Sequence, residues 1–553
     1  MRLIERRTGL LFAVFLSLLL LGGVKAFWLG VVRAGTLQHA ATTQQTADIQ
    51  VPARRGAITD VHGTELAVSQ PAMTIAATPY LVKQPTLVAP RLAGLLGKPE
   101  DEILRQLARR DTGFAYVARH VPAARARRVQ DLNIAGLEFI PEYTRVYPRD
   151  WMASQLLGSV GTDDQGLSGL EYSLDSRLGG TDGERRLVKD ALGQAIVMRD
   201  VKPTEPGANV KLTIDANIQD KAEEVLAQVG AEWKPKGATA IVMDPRDGSL
   251  LALANWPRVN ANAPGAAPDY AREDRAIGAT YEPGSTFKAV TVAGALEEGK
   301  VTPTTKFDLP PTIHVADREI GEAEPRGYET LTTSDILAQS SNVGAITIGL
   351  GLGADHFDRW VRRFGFGKPT GIDLPGEEQG IVLPRSQYSG SSMGNLPIGQ
   401  GIAVTPMQMA TAYSAIANGG VLRAPHIVDA IGSQPAKRPP GHRIISAATA
   451  SSLRRMLEGV LGPGGTASGA KIPGYVLAGK TGTAEKADPI TGGYSKSRYV
   501  SSFVGFAPAA QPKLLVAVMV DEPQGQIYGG LVAGPAFRDI TSFALNYLRI
   551  PPK

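Results

Sequence analysis

The longest run of hydrophobic positions lies near the N-terminus. Residues 10–32 are apolar except for small or polar positions and Lys25, and arginines precede the run. A bilayer is spanned by about 20 apolar residues, so this run predicts a transmembrane helix. Positive charge before it predicts that residues 1–9 form a cytoplasmic tail. A cleaved signal peptide is the alternative, with Ala34-Gly35 as its small-residue site, but the run is long for one.

The pattern of hydrophobic residues between positions 240 and 520 predicts a β-sheet. Four apolar runs indicate strands in two turn-linked pairs, 240–243 with 250–254 and 499–507 with 514–520. Between the two strand pairs, apolar residues recur at helical spacing, which predicts helices there. Strands from both ends with helices between them predict an α/β domain over 206–549, followed by a short tail, 550–553.

Residues 33–205 have a different character and are predicted to be a non-catalytic module. The polar stretch 33–50 reads as a tether, and the chain over 54–67 reads as strand, turn and strand. Farther on, glycine density suits tight turns between strands. We expect Arg55 and Glu171 to form a structural ion pair in this module.

Composition limits the domain number, the binding partners and the kinds of site that are possible. At 553 residues the chain exceeds what one core usually holds, so at least two domains are expected. The balance of 58 basic and 53 acidic residues leaves a mild +5. Arginines over 105–128 fit solvated faces of amphipathic helices, and no nucleic-acid motif accompanies them, so no nucleic-acid partner is predicted. The absence of cysteine excludes disulfides, thiolate metal sites and a cysteine nucleophile; no metal or cofactor is predicted.

Candidate chemistry begins at a Tyr-Glu-Pro-Gly-Ser-Thr-Phe-Lys sequence over 281–288. Pro283 and Gly284 mark a bend before a mostly apolar helix, which puts Ser285 in its first turn. Lys288 lies three residues on and on the same helical face, so its amine can reach the Ser285 hydroxyl. N–H groups at a helix start favour an alkoxide and an oxyanion. Alone, the pattern is weak, and an N-cap serine with a solvated lysine is the commoner explanation of it.

Two further motifs follow in order, Ser340-Ser341-Asn342 and Lys480-Thr481-Gly482-Thr483. The ordered trio Ser-x-x-Lys, Ser-x-Asn and Lys-Thr-Gly resembles the penicillin-recognising serine transpeptidases and β-lactamases. The residues around the three motifs are similar to those of a class B penicillin-binding protein, of the division or sporulation type rather than the elongation type. The Arg55-Gly56 opening is also similar to the pedestal of that family, although Val61 stands where the family usually carries arginine.

This resemblance implies a fold and a reaction. The fold is a penicillin-binding transpeptidase domain, an antiparallel sheet flanked by helices, on an extended α+β pedestal (dimerisation-type) domain. The reaction is D,D-transpeptidation, in which Ser285 attacks a D-alanyl-D-alanine terminus and the acyl-enzyme is captured by an amine. Lys288 is the implied base, since the seven histidines lie outside the motifs; burial and the charge of Lys480 are expected to lower its pKa. Ser340 is expected to pass a proton to the departing amine.

The remaining motif residues are implied to bind substrate. Asn342 is expected to hold a backbone amide of the stem peptide, and Lys480 and Thr483 its terminal carboxylate, with Thr481 beside them. Gly482 is expected to let an extended peptide lie close along the strand edge. Backbone N–H groups of Ser285 and Thr483 are the implied oxyanion hole.

Two alternatives stay open. A hydrolase, either a D,D-carboxypeptidase or a serine β-lactamase, shares the trio; the commonest β-lactamases need a glutamate to activate water, and Glu377 and Glu378 lie in what reads as an exposed turn. The second alternative is a division scaffold with weak catalysis.

The family also implies partners and a location. The partners are peptidoglycan stem peptides, lipid-linked glycan strands, β-lactams as inhibitors, a SEDS-type membrane glycosyltransferase and division proteins. The implied location is the cell membrane, with one span and the catalytic domain outside.

Overall fold

A computed structural model describes residues 2–35, 46–189, 195–488 and 493–552. The predicted tether over 33–50 therefore lies mostly outside the described residues. The chain forms two compact units, each built from separated segments. The first contains Met1–Arg54, Pro71–Tyr143 and Gly180–Gly207; the second contains Arg55–Gln70, Thr144–Gly179 and Ala208–Lys553.

The first unit begins with the predicted apolar helix. An α-helix over Arg2–Phe27 continues as a π-helical turn over Trp28–Val32. Within it, Arg6–Val32 is long and apolar enough to cross a membrane, and none of it is buried against the rest of the protein. The helix is therefore suited to a single-pass membrane anchor.

Beyond the anchor, the first unit contains a three-stranded antiparallel sheet and a small α+β lobe. The sheet joins Thr46–Val51, Gly183–Lys189 and Ala195–Lys202. The lobe contains the helices Pro85–Leu96, Glu100–Leu107 and Ala123–Gln130, the strand Ala115–Pro122, and parts of the strands Glu65–Ala77 and Leu137–Val146. Ile103 and Val129 belong to the lobe's own apolar core, while the arginines of the last two helices are exposed. The arginines on these helices thus lie on their solvated sides, as predicted, whereas Arg119 of the same basic stretch lies half-buried on the strand Ala115–Pro122.

The second unit is organised around a five-stranded antiparallel sheet. Its strand order is Leu250–Trp256, Gly237–Met243, Leu514–Asp521, Tyr494–Ala507 and Ala478–Ala487. Both predicted strand pairs are present in it. Every residue of 237–243 and 514–521 is buried or nearly so, because helices cover both faces. The strand 478–487, which carries the Lys-Thr-Gly motif, lies at the edge.

The helices of this unit surround that sheet and its edge. They are Ser154–Leu157, Gly169–Ser173, Asp175–Leu178, Ala216–Trp233, Asp269–Arg272, Arg275–Gly278, Lys288–Glu297, Thr333–Ala338, Asn342–Leu352, Ala354–Arg363, Ser392–Asn395, Pro406–Ala417, Ala447–Glu458 and Gly529–Tyr547. Short strands complete it: Ile58–Thr59, Val210–Leu212, Lys306–Leu309, Thr312–Val315, Arg318–Gly321, Glu329–Thr332, Val421–Leu422, Val428–Ile431, Gln434–Pro435 and His442–Arg443.

The two compact units do not correspond to a single division of the chain at residue 205, the predicted domain boundary. Strand Ile58–Thr59 pairs in parallel with Val210 and Lys211, which ties an early segment to the second unit. The predicted ion pair is also found there: Arg55 Nε lies 2.6 Å from Glu171. Arg145 Nε reaches the other oxygen of the same carboxylate at 2.7 Å, and all three side chains are buried. The linear domain boundaries at 33, 205 and 549 stay a prediction.

Candidate active site

The predicted nucleophile lies on a tight turn that leads into a buried helix. Residues Gly284–Phe287 form one 3₁₀ turn, and the α-helix begins at Lys288. Gly284 has φ of +53°, in the left-handed region that favours glycine. The Thr286 hydroxyl closes the turn by donating to the Pro283 carbonyl at 2.7 Å. Ser285 is therefore held at a helix start, as the sequence predicts, on a turn tighter than an α-helix.

Lys288 is fully buried and its amine joins two of the three motifs. It donates to the Ser340 carbonyl at 2.6 Å, to Asn342 Oδ1 at 2.7 Å and to Ser340 Oγ at 3.3 Å. The hydrogen bonds that the structure gives the Lys288 amine go to the Ser-x-Asn motif, and its reach toward the Ser285 hydroxyl stays a prediction. Those three acceptors match the three N–H bonds of an ammonium group.

Burial is the main cause of a lowered pKa at Lys288, which falls to about 7. The positive charge of Arg326 lowers this pKa as well, while the Glu322 carboxylate raises it. Arg326 is thus a neighbouring positive charge that the sequence did not indicate, in addition to the expected Lys480, whose mutual repulsion with Lys288 lowers the pKa of Lys480. A substantial neutral fraction of Lys288 therefore exists near neutral pH, as a general base requires.

Glu322 is a site residue that the sequence analysis missed. Its carboxylate accepts from the Ser341 hydroxyl at 2.5 Å, from the Asn342 N–H at 2.6 Å and from the Val343 N–H at 3.1 Å. These N–H groups open the helix Asn342–Leu352, where negative charge is favourable. Glu322 thus fixes the start of the helix that carries Asn342. No motif marks it, because it lies on the loop after a separate hairpin.

Ser340 occupies an unusual backbone conformation beside this helix. Its φ is +62°, although it is not glycine, and it connects the helix Thr333–Ala338 to the next one. Such residues are costly and persist only where the surroundings hold them. Here the Lys288 amine bonds both to the Ser340 carbonyl and to its hydroxyl.

Lys480 is the second fully buried lysine. Its amine contacts the Thr481 carbonyl at 3.2 Å and the Thr481 hydroxyl at 3.4 Å. Burial holds the pKa of Lys480 well below its usual range, and the charge of Lys288 lowers it further. An anion that bound beside Lys480 would reverse that effect, since an opposite charge favours the protonated amine.

Two glycines lie where neighbouring segments pack closely against the turn that carries Ser285. A Cβ on Gly482 would lie 2.3 Å from Ser502 Oγ and 3.1 Å from the Pro283 carbonyl, so this strand position packs against the nucleophile turn. Gly482 is therefore required first for packing inside the protein. On the other side of the turn, Gly284 donates its N–H to the Gly399 carbonyl at 3.1 Å. The Gly399-Gln400-Gly401 segment thus supports the turn from outside the three motifs.

A cleft of about 950 Å³ opens over these elements. Ser285, Ser340, Asn342, Thr481 and Thr483 all line it. The two buried lysines lie beneath, bonded to lining residues. Neither glutamate of the predicted turn 377–378 is among the described residues that line the cleft. Instead, the Glu377 carboxylate accepts from the backbone N–H groups of Thr370 and Gly371, which precede that turn.

Comparison with known families agrees with this arrangement. The family profile described as "Penicillin binding protein transpeptidase domain" matches residues 238–542, and that described as "Penicillin-binding Protein dimerisation domain" matches residues 50–212. The chain belongs to the class B penicillin-binding proteins. Its predicted fold, a transpeptidase domain with a pedestal and one N-terminal apolar helix, is confirmed.

Similar proteins extend over nearly the whole of this penicillin-binding protein. It is 32% identical to the peptidoglycan D,D-transpeptidase FtsI of Escherichia coli over 98% of this chain and 91% of that one. It is also 32% identical to the stage V sporulation protein D of Bacillus subtilis, over 97% of this chain and 86% of that one. Penicillin binding protein 3 of Mycobacterium tuberculosis, crystallised with aztreonam, aligns with a TM-score of 0.72 at 29% identity and covers 91% of this chain and 98% of that one.

Proposed function

We propose that this penicillin-binding protein is a peptidoglycan D,D-transpeptidase that works through an acyl-enzyme on Ser285 and is inhibited by β-lactams. One observation carries the proposal: serine, amide and threonine groups from all three motifs line one cleft above two buried lysines. Family membership and the D,D-transpeptidases among the relatives support it.

Acylation begins with proton removal from Ser285. Neutral Lys288 is the base, and burial makes that form available near pH 7. The Ser285 oxygen attacks the carbonyl carbon of the penultimate D-alanine, and the bond to the terminal D-alanine breaks. Ser340, bonded to Lys288, passes the proton to the departing amine.

The edge strand and Asn342 bind the substrate. Lys480, Thr481 and Thr483 hold the terminal carboxylate by charge-assisted hydrogen bonds. Because 478–487 is an edge strand, an extended peptide can pair with it, and Asn342 holds a backbone amide from the opposite side. Backbone N–H groups of Ser285 and Thr483 stabilise the oxyanion; losing one such donor costs roughly a hundredfold or more.

The second half of the reaction decides between transfer and hydrolysis. An amine of a neighbouring stem peptide attacks the ester, forms the cross-link and releases Ser285. The Glu377 carboxylate accepts from the N–H groups of Thr370 and Gly371 and is not among the described residues that line the cleft, which argues against Glu377 as the glutamate of a β-lactamase-type hydrolysis.

Intact-protein mass after incubation with benzylpenicillin tests the proposal. We expect an adduct that lasts many minutes on the wild type and none on Ser285→Ala. An adduct that vanishes while the drug is consumed would indicate a hydrolase. No adduct on folded wild-type protein would contradict an active transpeptidase.

We further propose that the enzyme works in septal or sporulation wall synthesis with a SEDS-type glycosyltransferase and division proteins, on lipid-linked glycan strands. Relatives such as E. coli FtsI and the B. subtilis sporulation protein support this role. The chain would then need a partner that polymerises glycan. Co-purification in mild detergent tests the association, with a variant whose residues 1–35 are replaced by another single span as control. Failure of the intact chain to retain the glycosyltransferase would count against it.

We also propose that the N-terminus is cytoplasmic and the cleft is outside. The arginines before the apolar helix support this orientation. A reporter that is active only outside the cytoplasm, fused after Lys553, should be active, and the same reporter before Met1 should be silent. The opposite pattern would overturn the orientation.

A further inference from the structure

Glu485 lies on the edge strand two residues beyond Thr483 and lines the same cleft. Side chains two apart on a strand share one face, so Thr481, Thr483 and Glu485 follow one another along the cleft. Lys486, the residue that follows Glu485, pairs instead with Asp521 and Glu522, at 2.7 Å each. The neighbouring lysine therefore does not neutralise Glu485 within the cleft.

The other groups around Glu485 leave its charge available. The Tyr499 hydroxyl donates to one of its oxygens at 3.5 Å, and this tyrosine also lines the cleft. The cleft's lining guanidinium, on Arg326, is engaged with Glu329 and the Gln339 carbonyl. The cleft thus presents a carboxylate in line with the two threonines.

The distance of Glu485 from Thr483 determines which part of a bound peptide it can reach. This step rests on the proposed function, which puts the terminal carboxylate at Thr481 and the reacting carbonyl at Thr483. A peptide paired antiparallel with the strand advances about 3.3 Å per residue, as the strand does. Glu485 lies two strand residues, about 6.6 Å, beyond Thr483, whereas the residue that precedes the two alanines lies about 3.3 Å beyond the reacting one. A long side chain on that residue can span the difference by extending along the cleft to the Glu485 carboxylate.

We propose that Glu485 is a specificity-determining residue that binds a primary ammonium group at the end of a long side chain of the stem peptide. The carboxylate accepts a charge-assisted hydrogen bond from that ammonium, while Lys480 and the threonines hold the terminal carboxylate. The cleft therefore selects a peptide with a negative end and a positive side group, held a few residues apart. The ammonium can come from the donor stem or from the acceptor stem.

Three penicillins that differ only in the group on the side-chain α-carbon provide the first test. Ampicillin carries an ammonium there, benzylpenicillin no charge and carbenicillin a carboxylate. We expect second-order acylation rates of the full-length protein to favour ampicillin over carbenicillin by a ratio about tenfold larger in the wild type than in Glu485→Gln. Glutamine keeps an acceptor for Tyr499, and comparing rates within one variant cancels differences in folding and in the reactivity of Ser285.

Glu324→Gln is the matched control, because Glu324 also lines the cleft but lies outside the edge strand. The wild-type ratio should persist in it. A ratio that is equal in wild type and Glu485→Gln, or one that collapses in Glu324→Gln instead, overturns the assignment. A protein that no penicillin acylates would instead contradict the proposed function.

Stem pentapeptides separate the two sources of the ammonium. Peptides with free or Nε-acetylated lysine at the third position are compared as competitors of benzylpenicillin acylation, and as acceptors of an acyl group delivered from a thioester, whose thiolate leaves as Ser285 is acylated. If Glu485→Gln removes the free-amine preference in competition, the donor supplies the ammonium. If it removes the preference only in transfer, the acceptor supplies it. No preference in the wild type in either assay overturns the proposal.

Discussion

Gly399 lies directly against Gly284, the residue before the nucleophile. A Cβ on Gly399 would come within 2.3 Å of the Gly284 carbonyl oxygen, and the two residues are already joined by a backbone hydrogen bond. The position of Ser285 is therefore set from a segment more than a hundred residues away in the sequence.

Gly399→Ala should slow acylation by benzylpenicillin about a hundredfold, because a displaced turn moves Ser285 out of line with its base and oxyanion donors. Gly376→Ala is the matched control. Both glycines have φ of +80°, but nothing lies within 4 Å of a Cβ at Gly376. Both variants should lose about 1 kcal/mol of stability from backbone strain. Equal acylation rates in the two variants would show that the contact does not position Ser285.

Glu322→Gln should lower the acylation rate about tenfold, since removing a charged acceptor weakens its bonds to the start of the Asn342 helix. The variant should also shift the pH profile. The Glu322 charge raises the pKa of Lys288, so its removal should move the midpoint to lower pH. A purely structural defect would lower the rate without moving the midpoint. Glu324→Gln, a nearby exposed carboxylate, serves as the control.

The acylation rate of the wild type should rise with pH through about 7 and level off above it. The reason is that Lys288 acts as a base only when neutral, and burial brings its pKa to about 7. Stopped-flow measurement with a chromogenic cephalosporin between pH 5.5 and 9 gives the profile. A rate that stays flat across this range would exclude Lys288 as the titrating base.

Lys288→Arg should abolish acylation at every pH in that range, because a guanidinium stays protonated. Its folded state should be checked by thermal unfolding in the same buffers. Acylation by this variant with an unchanged pH profile would assign the base role to another group.

Glu171→Ala should destabilise the protein by about 3–5 kcal/mol, because it removes the buried carboxylate that Arg55 and Arg145 share and leaves Arg55 only its bond to Asp175. Glu102→Ala is the control: it breaks an exposed pair with Lys98 and should cost less than about 1 kcal/mol. Denaturant unfolding of the two variants measures the difference. Similar midpoints would show that the buried network contributes little.

Much of the site could be predicted because its catalytic and binding residues belong to short sequence motifs. Ser285 at a helix start, the strand that bears Lys480 and the ion pair of Arg55 with Glu171 follow from local spacing and residue type, and the structure contains each of them. Ser340 is expected to hydrogen-bond within the cluster of motif residues, and its hydroxyl does accept from Lys288. The bond from Lys288 to Asn342 could not be predicted, because it depends on where a helix start more than fifty residues away comes to lie.

The sequence by itself determined the apolar anchor helix, the strand runs of the central sheet and the three catalytic motifs, because hydrophobic period and motif chemistry are local properties of the chain. Only the tertiary structure decided that Glu322 caps the Asn342 helix and that Arg326 lowers the pKa of Lys288. It also decided that Gly399 and Gly482 lie directly against the turn that carries Ser285. Those relations arise from close packing between segments distant in sequence, and such packing leaves no periodic signal along the chain.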